Sequence, residues 1–309
     1  MARFEITILG CGSATPTLRH DPTSQVANVH DNLYMIDCGE LTQVQMRRRK
    51  ICFNRLRHVF ISHLHGDHCF GLPGLISTFG LLGRRGELVI HGPQMLEEFI
   101  NPVLSLFCKD MTYSVRLNLF DPQQHALVME DAAVQVYSIP LKHRVPTCGY
   151  LIVEKTGGSH LIREMADFYQ IPLKMRAEIK QGADYVTPEG EIIPNSRLTC
   201  PADPPLRYAF CSDTAFSPEI IPWIEGVDCL YHEATFMDKD LSLAQATLHS
   251  TARQAAEIAL RAQVKQLVIG HYSARYEDIK PLLSEAQAVF PGTMAADEGM
   301  VVRVNKATV

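Results

Sequence analysis

The sequence lacks any long apolar run. Its most apolar window, residues 70–83, is about 14 residues long and contains four glycines and one proline, so it is too short and too interrupted to cross a bilayer. The N-terminus also lacks the basic segment followed by about 7–15 apolar residues that marks a secretory signal peptide. We therefore expect neither a membrane-spanning segment nor a membrane partner.

An excess of positive charge is missing as well. The chain has 29 Lys and Arg residues against 34 Asp and Glu residues in 309 positions, a formal net charge of −5. Because no global positive field attracts phosphate, a nucleic-acid substrate would have to be held by local basic clusters or by metal ions. With 46% hydrophobic and 20% charged residues, the composition excludes a disordered, collagen-like or coiled-coil chain.

The nine cysteines include no C-x-x-C pair. Their number is odd and they are scattered along the chain. This pattern favours buried free thiols in a reducing compartment over a disulfide framework or a four-cysteine zinc site. It predicts a cytoplasmic protein.

Short apolar runs alternate with amphipathic helical segments, a pattern typical of an α/β fold. The T-x-x-Q sequence of Thr251 and Gln254 is a capping box that marks the start of one helix. The predicted strands cover residues 4–9, 32–36, 58–61, 88–91, 133–139, 208–211, 230–231 and 267–269. The predicted helices cover residues 41–49, 96–107, 251–262 and 279–288.

One stretch, residues 154–207, interrupts the rhythm of strands and helices. A helical piece is followed there by a cluster of prolines, which is typical of an insertion that protrudes from a compact body. The prolines are Pro188, Pro194, Pro201, Pro204 and Pro205. We interpret the stretch as an arm inserted in a single domain that spans residues 1–309.

The strongest chemical signal is the segment H-L-H-G-D-H. His63, His65, Asp67 and His68 fall within six residues, directly after an apolar run. His63 and His65 are two apart at a strand end and can face the same side, and Gly66 permits a turn that brings the next two ligands round. Such a cluster is far more typical of metal ligands than of isolated structural side chains.

Further strand-like runs also end just before a potential ligand. They precede His143, Asp213 and His271, and sites in open α/β sheets collect beyond the carboxyl ends of strands. Five histidines and two aspartates are enough for two cations that share one carboxylate. Nitrogen and oxygen ligands without thiolate favour zinc, with manganese, cobalt and iron as open alternatives.

This constellation resembles the metal site of the metallo-β-lactamase superfamily. Several further motifs resemble ribonuclease Z, the family of endonucleases that trim the 3′ end of precursor tRNA, and they occur in that family's order. They are LGCGSATPT (9–17), DCGELTQ (37–43), ISHLHGDHCFGLPGLI (61–76), PLKHRVPTCGY (140–150), FCSDT (210–214), HEATF (232–236), HSTARQAA (249–256) and IGHYSARY (269–276).

The resemblance implies a four-layer αβ/βα sandwich with two Zn²⁺ ions at the edge between its sheets, in a homodimer. One ion would be held by three histidines, the other by an aspartate and two histidines, with a second aspartate bridging both. In that order the implied ligands are His63, His65 and His143, then Asp67, His68 and His271, and the bridging Asp213.

The implied reaction is hydrolysis of the phosphodiester, which leaves a 3′-hydroxyl on the tRNA. A water between the metals, with its pKa lowered towards about 7, would supply the attacking hydroxide. Asp67 would be the proton acceptor, and His249 the general acid for the leaving 3′-oxygen. A carboxylate such as Glu233 would orient that imidazole and raise its pKa.

Contacts to RNA are expected from local basic clusters. Six cations and no acid lie between residues 47 and 57, among them Arg47, Arg49 and Lys50. Between residues 156 and 192 the arm has four basic and six acidic residues, with Lys174 and Arg176 as its candidate contacts. An acidic arm is a poor general clamp for RNA, so these side chains or a second subunit would have to serve.

Three alternatives stay open at this point. The closest is a phosphodiesterase of the same fold that acts on small phosphate or other esters. A di-iron redox enzyme is disfavoured because that branch of the superfamily has Glu where this chain has His65. A non-catalytic RNA-binding or structural member is disfavoured because such proteins usually lose ligands, and this chain retains all seven.

Overall fold

The computed structural model describes residues 4–305, which divide into two compact units. The main body comprises the described residues up to Val153 and those from Leu206 onwards, and the second unit is Glu154–Pro205. No helix among these residues is both long enough and apolar enough to cross a membrane.

The strands follow one another along the described chain as short elements. In chain order they are β1 (Phe4–Gly10), β2 (Ser24–Val29), β3 (Asn32–Cys38), β4 (Leu56–Phe60), β5 (Leu88–Pro93), β6 (Val115–Phe120), β7 (Leu127–Glu130), β8 (Val134–Leu141), β9 (Thr147–Glu154), β10 (His160–Leu161), β11 (Tyr185–Val186), β12 (Ile192–Ile193), β13 (Thr199–Cys200), β14 (Arg207–Cys211), β15 (Cys229–Glu233), β16 (Leu267–Gly270), β17 (Thr293–Ala295) and β18 (Val301–Arg303).

The helices lie between these strands. They are α1 (Thr42–Arg48), α2 (Gly66–Cys69), α3 (Leu72–Leu81), α4 (Leu96–Phe107), α5 (Arg163–Phe168), α6 (Arg176–Lys180), α7 (Asn195–Leu198), α8 (Ile221–Ile224), α9 (Leu241–Thr247), α10 (Ala252–Arg261) and α11 (Lys280–Gln287). Short 3₁₀ turns cover Phe53–Arg55, Leu173–Met175, Pro218–Ile220 and Asp238–Asp240.

The main body is built on two seven-stranded mixed sheets. The first has the order β18-β1-β2-β3-β4-β5-β6, and the second β17-β16-β15-β14-β9-β8-β7. In the first sheet β3 to β6 are parallel, and in the second β14 to β17 are parallel. The loops after parallel strands meet at one edge, which is where sites form in such sheets.

Strand β3 shows how each sheet separates two layers. Its side chains alternate, because successive residues of a strand point to opposite faces. Tyr34 and Ile36 join the core shared with the second sheet, whereas Leu33 and Met35 pack in the cluster formed with α1, α3 and α4. Both faces are therefore buried, as expected for parallel strands covered on each side.

The second sheet is covered on its outer face by α10 and α11. Alanines of α10 such as Ala255, Ala256 and Ala259 are fully buried and let the helix approach the sheet closely. The helix begins at the predicted capping box, in which Thr251 Oγ1 accepts from Gln254 N and Gln254 Oε1 accepts from Thr251 N. The predicted four-layer αβ/βα sandwich is confirmed.

All the predicted strands and helices of the main body exist, but the sequence pattern missed others. Strand β9 begins with Thr147, Cys148 and Gly149, and the glycine is needed because a Cβ there would lie 2.2 Å from Phe210 O. Helix α3 falls in the apolar window, where its proline and two glycines conceal the helical period.

The second unit has its own small core and two pairs of short strands. Strand β10 pairs with β13 and β11 pairs with β12. Its buried side chains are Ala166, Ile171, Ile179, Tyr185, Ile193 and Leu198. The unit ends at Pro205, two residues before the boundary expected from the sequence, since Arg207 already pairs with Val153 of β9.

Candidate metal centre

The first group of candidate ligands follows the parallel strand β4. The chain leaves the strand at Phe60 and carries His63 and His65 in an irregular segment before α2. Asp67 and His68 lie in the first turn of α2, so a helical turn brings them round to the site. Gly66, the glycine expected to permit this turn, makes it without a left-handed backbone conformation.

The other candidate ligands come from the second sheet. His143 follows β8, Asp213 follows β14 and His271 follows β16, each within two residues of the strand end. His271 has a φ of 62°, a conformation that non-glycine residues seldom adopt. Strain of this kind persists where the surrounding structure holds a side chain in a functional position.

Asp213 separates the imidazoles into two groups through its two oxygens. Its Oδ2 lies 3.6 Å from His63 Nε2 and 3.7 Å from His143 Nε2. Its Oδ1 lies 3.3 Å from His68 Nε2 and 3.1 Å from His271 Nε2. One carboxylate thus faces two sets of nitrogen atoms.

The two remaining candidates complete these sets. His65 Nδ1 lies 3.0 Å from His63 Nε2 and 3.4 Å from His143 Nε2. On the other side, Asp67 Oδ2 lies 3.4 Å from His68 Nε2 and 3.3 Å from His271 Nε2. Each set contains four donor atoms once the shared carboxylate is counted.

The spacing and chemistry of the donor atoms fit divalent cations. Bonds of about 2.0–2.2 Å to a tetrahedral ion put neighbouring ligand atoms roughly 3.3–3.6 Å apart, close to the distances in both sets. Among the described side chains, His68 Nε2 and Asp213 Oδ1 are buried without a hydrogen-bond partner. A buried polar atom without a partner is costly, and a cation bound between the ligands would satisfy both atoms.

The ring nitrogens that face away from the site are held by neighbouring groups. His63 Nδ1 lies 3.0 Å from Ser62 Oγ, His143 Nδ1 2.9 Å from Leu248 O, and His271 Nδ1 2.9 Å from Thr235 Oγ1. Partners of this kind fix the tautomer and orientation of a ligating imidazole. They leave Nε2 of each ring free to face the site.

Asp37 is a further buried carboxylate beside the candidate ligands, and no sequence pattern indicated its contact with His68. Its carboxylate accepts from Ser62 N at 2.8 Å and Ser62 Oγ at 2.9 Å, and it lies 2.7 Å from His68 Nδ1. It is fully buried and has a φ of 56°. The available signal was an aspartate closing an apolar strand in DCGELTQ, but its orienting role depends on the pairing of β3 with β4.

Burial sets the charge state of three candidate ligands. It lowers the pKa of His63, His65 and His143, more strongly than Asp213 raises the pKa of the two latter rings. These imidazoles are therefore neutral at pH 7, which is the form that binds a metal. For Asp67, burial alone would raise the pKa, but His68 and His271 outweigh it and hold this pKa below its ordinary value.

Beside the candidate ligands, partly buried His249 pairs with fully buried Glu233. His249 lies between α9 and α10, and its Nδ1 is 2.8 Å from Glu233 Oε1. Glu233 also accepts from Thr214 N at 2.9 Å and from Thr235 Oγ1 at 2.6 Å. Burial by itself lowers the pKa of His249, and the carboxylate outweighs burial and raises this pKa to about 9.

A cavity of about 640 Å³ opens over these groups. His65, Asp67, His143 and Asp213 contribute to its wall. His249 and His271 also line it, together with exposed Phe70 and Arg144, which the sequence analysis did not select. The lining therefore combines imidazole, carboxylate, aromatic and cationic groups.

None of the five predicted RNA contacts lines this cavity. Arg49 and Lys50 line a separate groove of about 320 Å³, where Arg49 Nη2 donates to Glu298 O at 2.9 Å. Arg47 is exposed near the end of α1. In the second unit Lys174 is exposed, and Arg176 Nε donates to Ile171 O at 3.2 Å.

Comparisons with known proteins agree with this geometry. A family model described as a beta-lactamase superfamily domain matches residues 197–272, and one described as anti-Pycsar protein Apyc1 matches residues 4–138. The chain is 67% identical to a ribonuclease Z of Parabacteroides distasonis, over 98% of this chain and 100% of that one. It is 58% identical to a ribonuclease Z of Bacteroides fragilis, over 98% and 99% of the two chains.

Among solved structures, the short form of human tRNase Z superposes with a TM-score of 0.71 at 24% identity, covering 98% of this chain and 100% of that chain. This likeness shows the fold. Fold and site together define a protein of the metallo-β-lactamase fold with a divalent-metal site. The identity to full-length relatives is far above what a shared fold requires. The chain belongs to the ribonuclease Z family and is an endoribonuclease.

Replacing Asp37 by Asn tests the orienting role of this carboxylate. Asn is isosteric and tolerates the left-handed φ of 56°, so the change removes charge with little strain. Because a neutral amide orients and polarises His68 less, we expect divalent-metal affinity to fall by about 10–100-fold, measured by competition with a chromogenic chelator. Exposed Asp110→Asn is the matched control, and equal metal affinity for both variants would contradict the assignment.

Proposed function

We propose that this protein is a zinc-dependent endoribonuclease that removes 3′ trailers from precursor tRNA and leaves a 3′-hydroxyl on the tRNA. The observation that carries the proposal is the division of the imidazoles by Asp213, whose two oxygens face two sets of ligands. Full-length relatives named ribonuclease Z support the same activity.

The proposed ligand roles follow the two sets of donor atoms. His63, His65 and His143 would hold one ion, and Asp67, His68 and His271 would hold the other, with Asp213 shared. Neutral imidazoles and carboxylates without thiolate suit zinc. Two such ions, when bound, act as Lewis acids on the phosphate and lower the pKa of water towards about 7.

The protein's own groups then move the two protons of the reaction. As water attacks phosphorus and forms the new bond, Asp67 would accept the proton of the water; its Oδ2 lies 3.4 Å from His68 Nε2 and 3.3 Å from His271 Nε2, at the edge of the cavity. The bond from phosphorus to the 3′-oxygen breaks, and His249 donates its proton to that oxygen. Glu233 holds the imidazole and keeps it protonated at neutral pH.

The exposed cations near the end of α1 and in the second unit are proposed phosphate contacts, which would act outside the cavity.

A homodimer is proposed because the ends of α3 and α4 expose large apolar side chains, among them Leu81 and Phe107. A cytoplasmic location is supported by the nine cysteines, all of which lie in the described chain and are free.

A 3′-extended precursor tRNA, incubated with the purified protein, tests the activity. We expect cleavage just after the discriminator base, a 3′-hydroxyl on the product, and loss of activity on chelation that zinc restores. Asp67→Ala should abolish cleavage, whereas Asp110→Ala, which changes an exposed aspartate, should not. Hydrolysis of small phosphodiesters with the precursor left intact would instead indicate a phosphodiesterase for small esters.

His249→Ala tests the proton donor. We expect kcat to fall by about 10²–10⁴-fold with little change in RNA affinity, because proton donation acts only in the transition state. A general acid works below its pKa, so the wild-type rate should fall as pH rises through the pKa of His249. This alkaline limb lies at or below pH of about 9, since bound cations lower that pKa further.

The alkaline limb should be missing from the pH profile of His249→Ala. Exposed His30→Ala serves as the control and should keep both rate and profile. Equal losses of RNA affinity and kcat in His249→Ala would contradict the role of His249 as the general acid. An alkaline limb that persisted in this variant would contradict it as well.

A further inference from the structure

The cavity wall contains an aromatic ring that the proposed chemistry does not use. Phe70 is 59% exposed, although burying a phenylalanine side chain stabilises a folded protein. The other aromatic side chain among the described lining residues, Phe236, is only 6% exposed. Phe70 is thus the aromatic surface that this cavity presents to a ligand.

The backbone on both sides of Phe70 is fixed. Phe70 N donates to Gly66 O at 2.8 Å, which closes the single turn of α2 that carries Asp67 and His68. Gly71 N donates to Cys38 O at 2.8 Å, and a Cβ on Gly71 would lie only 2.0 Å from Gly39 O. The ring is therefore attached to the element that positions two metal ligands.

The ring of Phe70 packs against Gly66. A Cβ on Gly66 would lie 2.5 Å from Cε2, 2.7 Å from Cδ2 and 2.9 Å from Cζ of Phe70. The aromatic ring therefore packs directly on the Gly66 backbone, and the absence of a side chain there creates the space. Phe99 flanks it, with the two ring centroids 6.3 Å apart. The exposed part of the ring is left for the cavity.

We propose that Phe70 is a stacking platform for the base of a nucleotide that flanks the scissile phosphate. The inference rests on the proposed function and adds to it a residue that positions the RNA. An unpaired base can stack on an aromatic ring, and the interaction tolerates any base because every base has a π-face. Phenylalanine has no hydrogen-bonding group, so this contact positions the strand without selecting a sequence.

A double-mutant cycle between the ring and the base tests the proposal. One substrate has an abasic nucleotide on the 5′ side of the cleavage site and another has it on the 3′ side. For the wild-type protein, removal of the stacked base should lower kcat/KM by about tenfold, mainly through KM. The Phe70→Ala variant should cleave the intact precursor with a kcat/KM that is lower by a similar factor. In this variant the same abasic substitution should lower kcat/KM by less than about twofold.

Two further variants separate stacking from a structural role. Phe70→Trp keeps an aromatic face and should retain sensitivity to the missing base, whereas Phe70→Leu keeps apolar bulk and should behave like Phe70→Ala. Metal content is measured for each variant and should equal that of the wild type. The proposal is overturned if each abasic substitution lowers kcat/KM by the same factor in Phe70→Ala as in the wild type. It is also overturned if Phe70→Leu behaves as the wild type does. A wild-type protein that left the intact precursor uncut would instead reject the proposed function, and this inference with it.

Discussion

One buried carboxylate determines how the site is arranged. Asp213 is 2% exposed, and the nitrogens of four imidazoles lie within 3.7 Å of its two oxygens. A charged group removed from water costs several kcal/mol unless it is compensated, and Asp213 Oδ1 has no hydrogen-bond partner among the described residues. Divalent cations bound between the imidazoles and this carboxylate would compensate its charge. The arrangement therefore makes structural sense as a metal centre and not as a network of hydrogen bonds.

The two-sheet architecture places the ligands at this carboxylate. Strand β4 in one sheet leads to His63 and His65, and strands β8, β14 and β16 in the other lead to the candidate ligands that face them. Around the imidazoles, Asp37, Ser62, Thr235 and the Leu248 carbonyl hold the outward nitrogens. The fold thus supplies the donor atoms together with the contacts that fix their orientation.

Local patterns in the sequence predicted the strands that carry the ligands, because each is an apolar run that ends in a polar residue. The four-layer sandwich followed from the family resemblance. What local patterns could not show depends on contacts between distant segments. The role of Asp37 requires β3 to pair with β4, and the two-sided position of Asp213 requires two sheets to face each other. Helix α3 was missed because its proline and glycines conceal the helical period.

The net charge of −5 is compatible with an RNA substrate once the site is considered. The two divalent cations of the proposed centre would bring four positive charges to the place where the phosphate would bind, and the formal charge does not count them. The exposed basic residues near the end of α1 lie outside the cavity, so they would contact RNA away from the reacting bond.

The central claim is that Asp213 is shared between two cations. Crystals of the zinc-loaded protein, measured on both sides of the zinc absorption edge, test it most directly. The account predicts two anomalous peaks about 3.5–4 Å apart, one beside each oxygen of Asp213. A single peak, or peaks that do not contact Asp213, would contradict it.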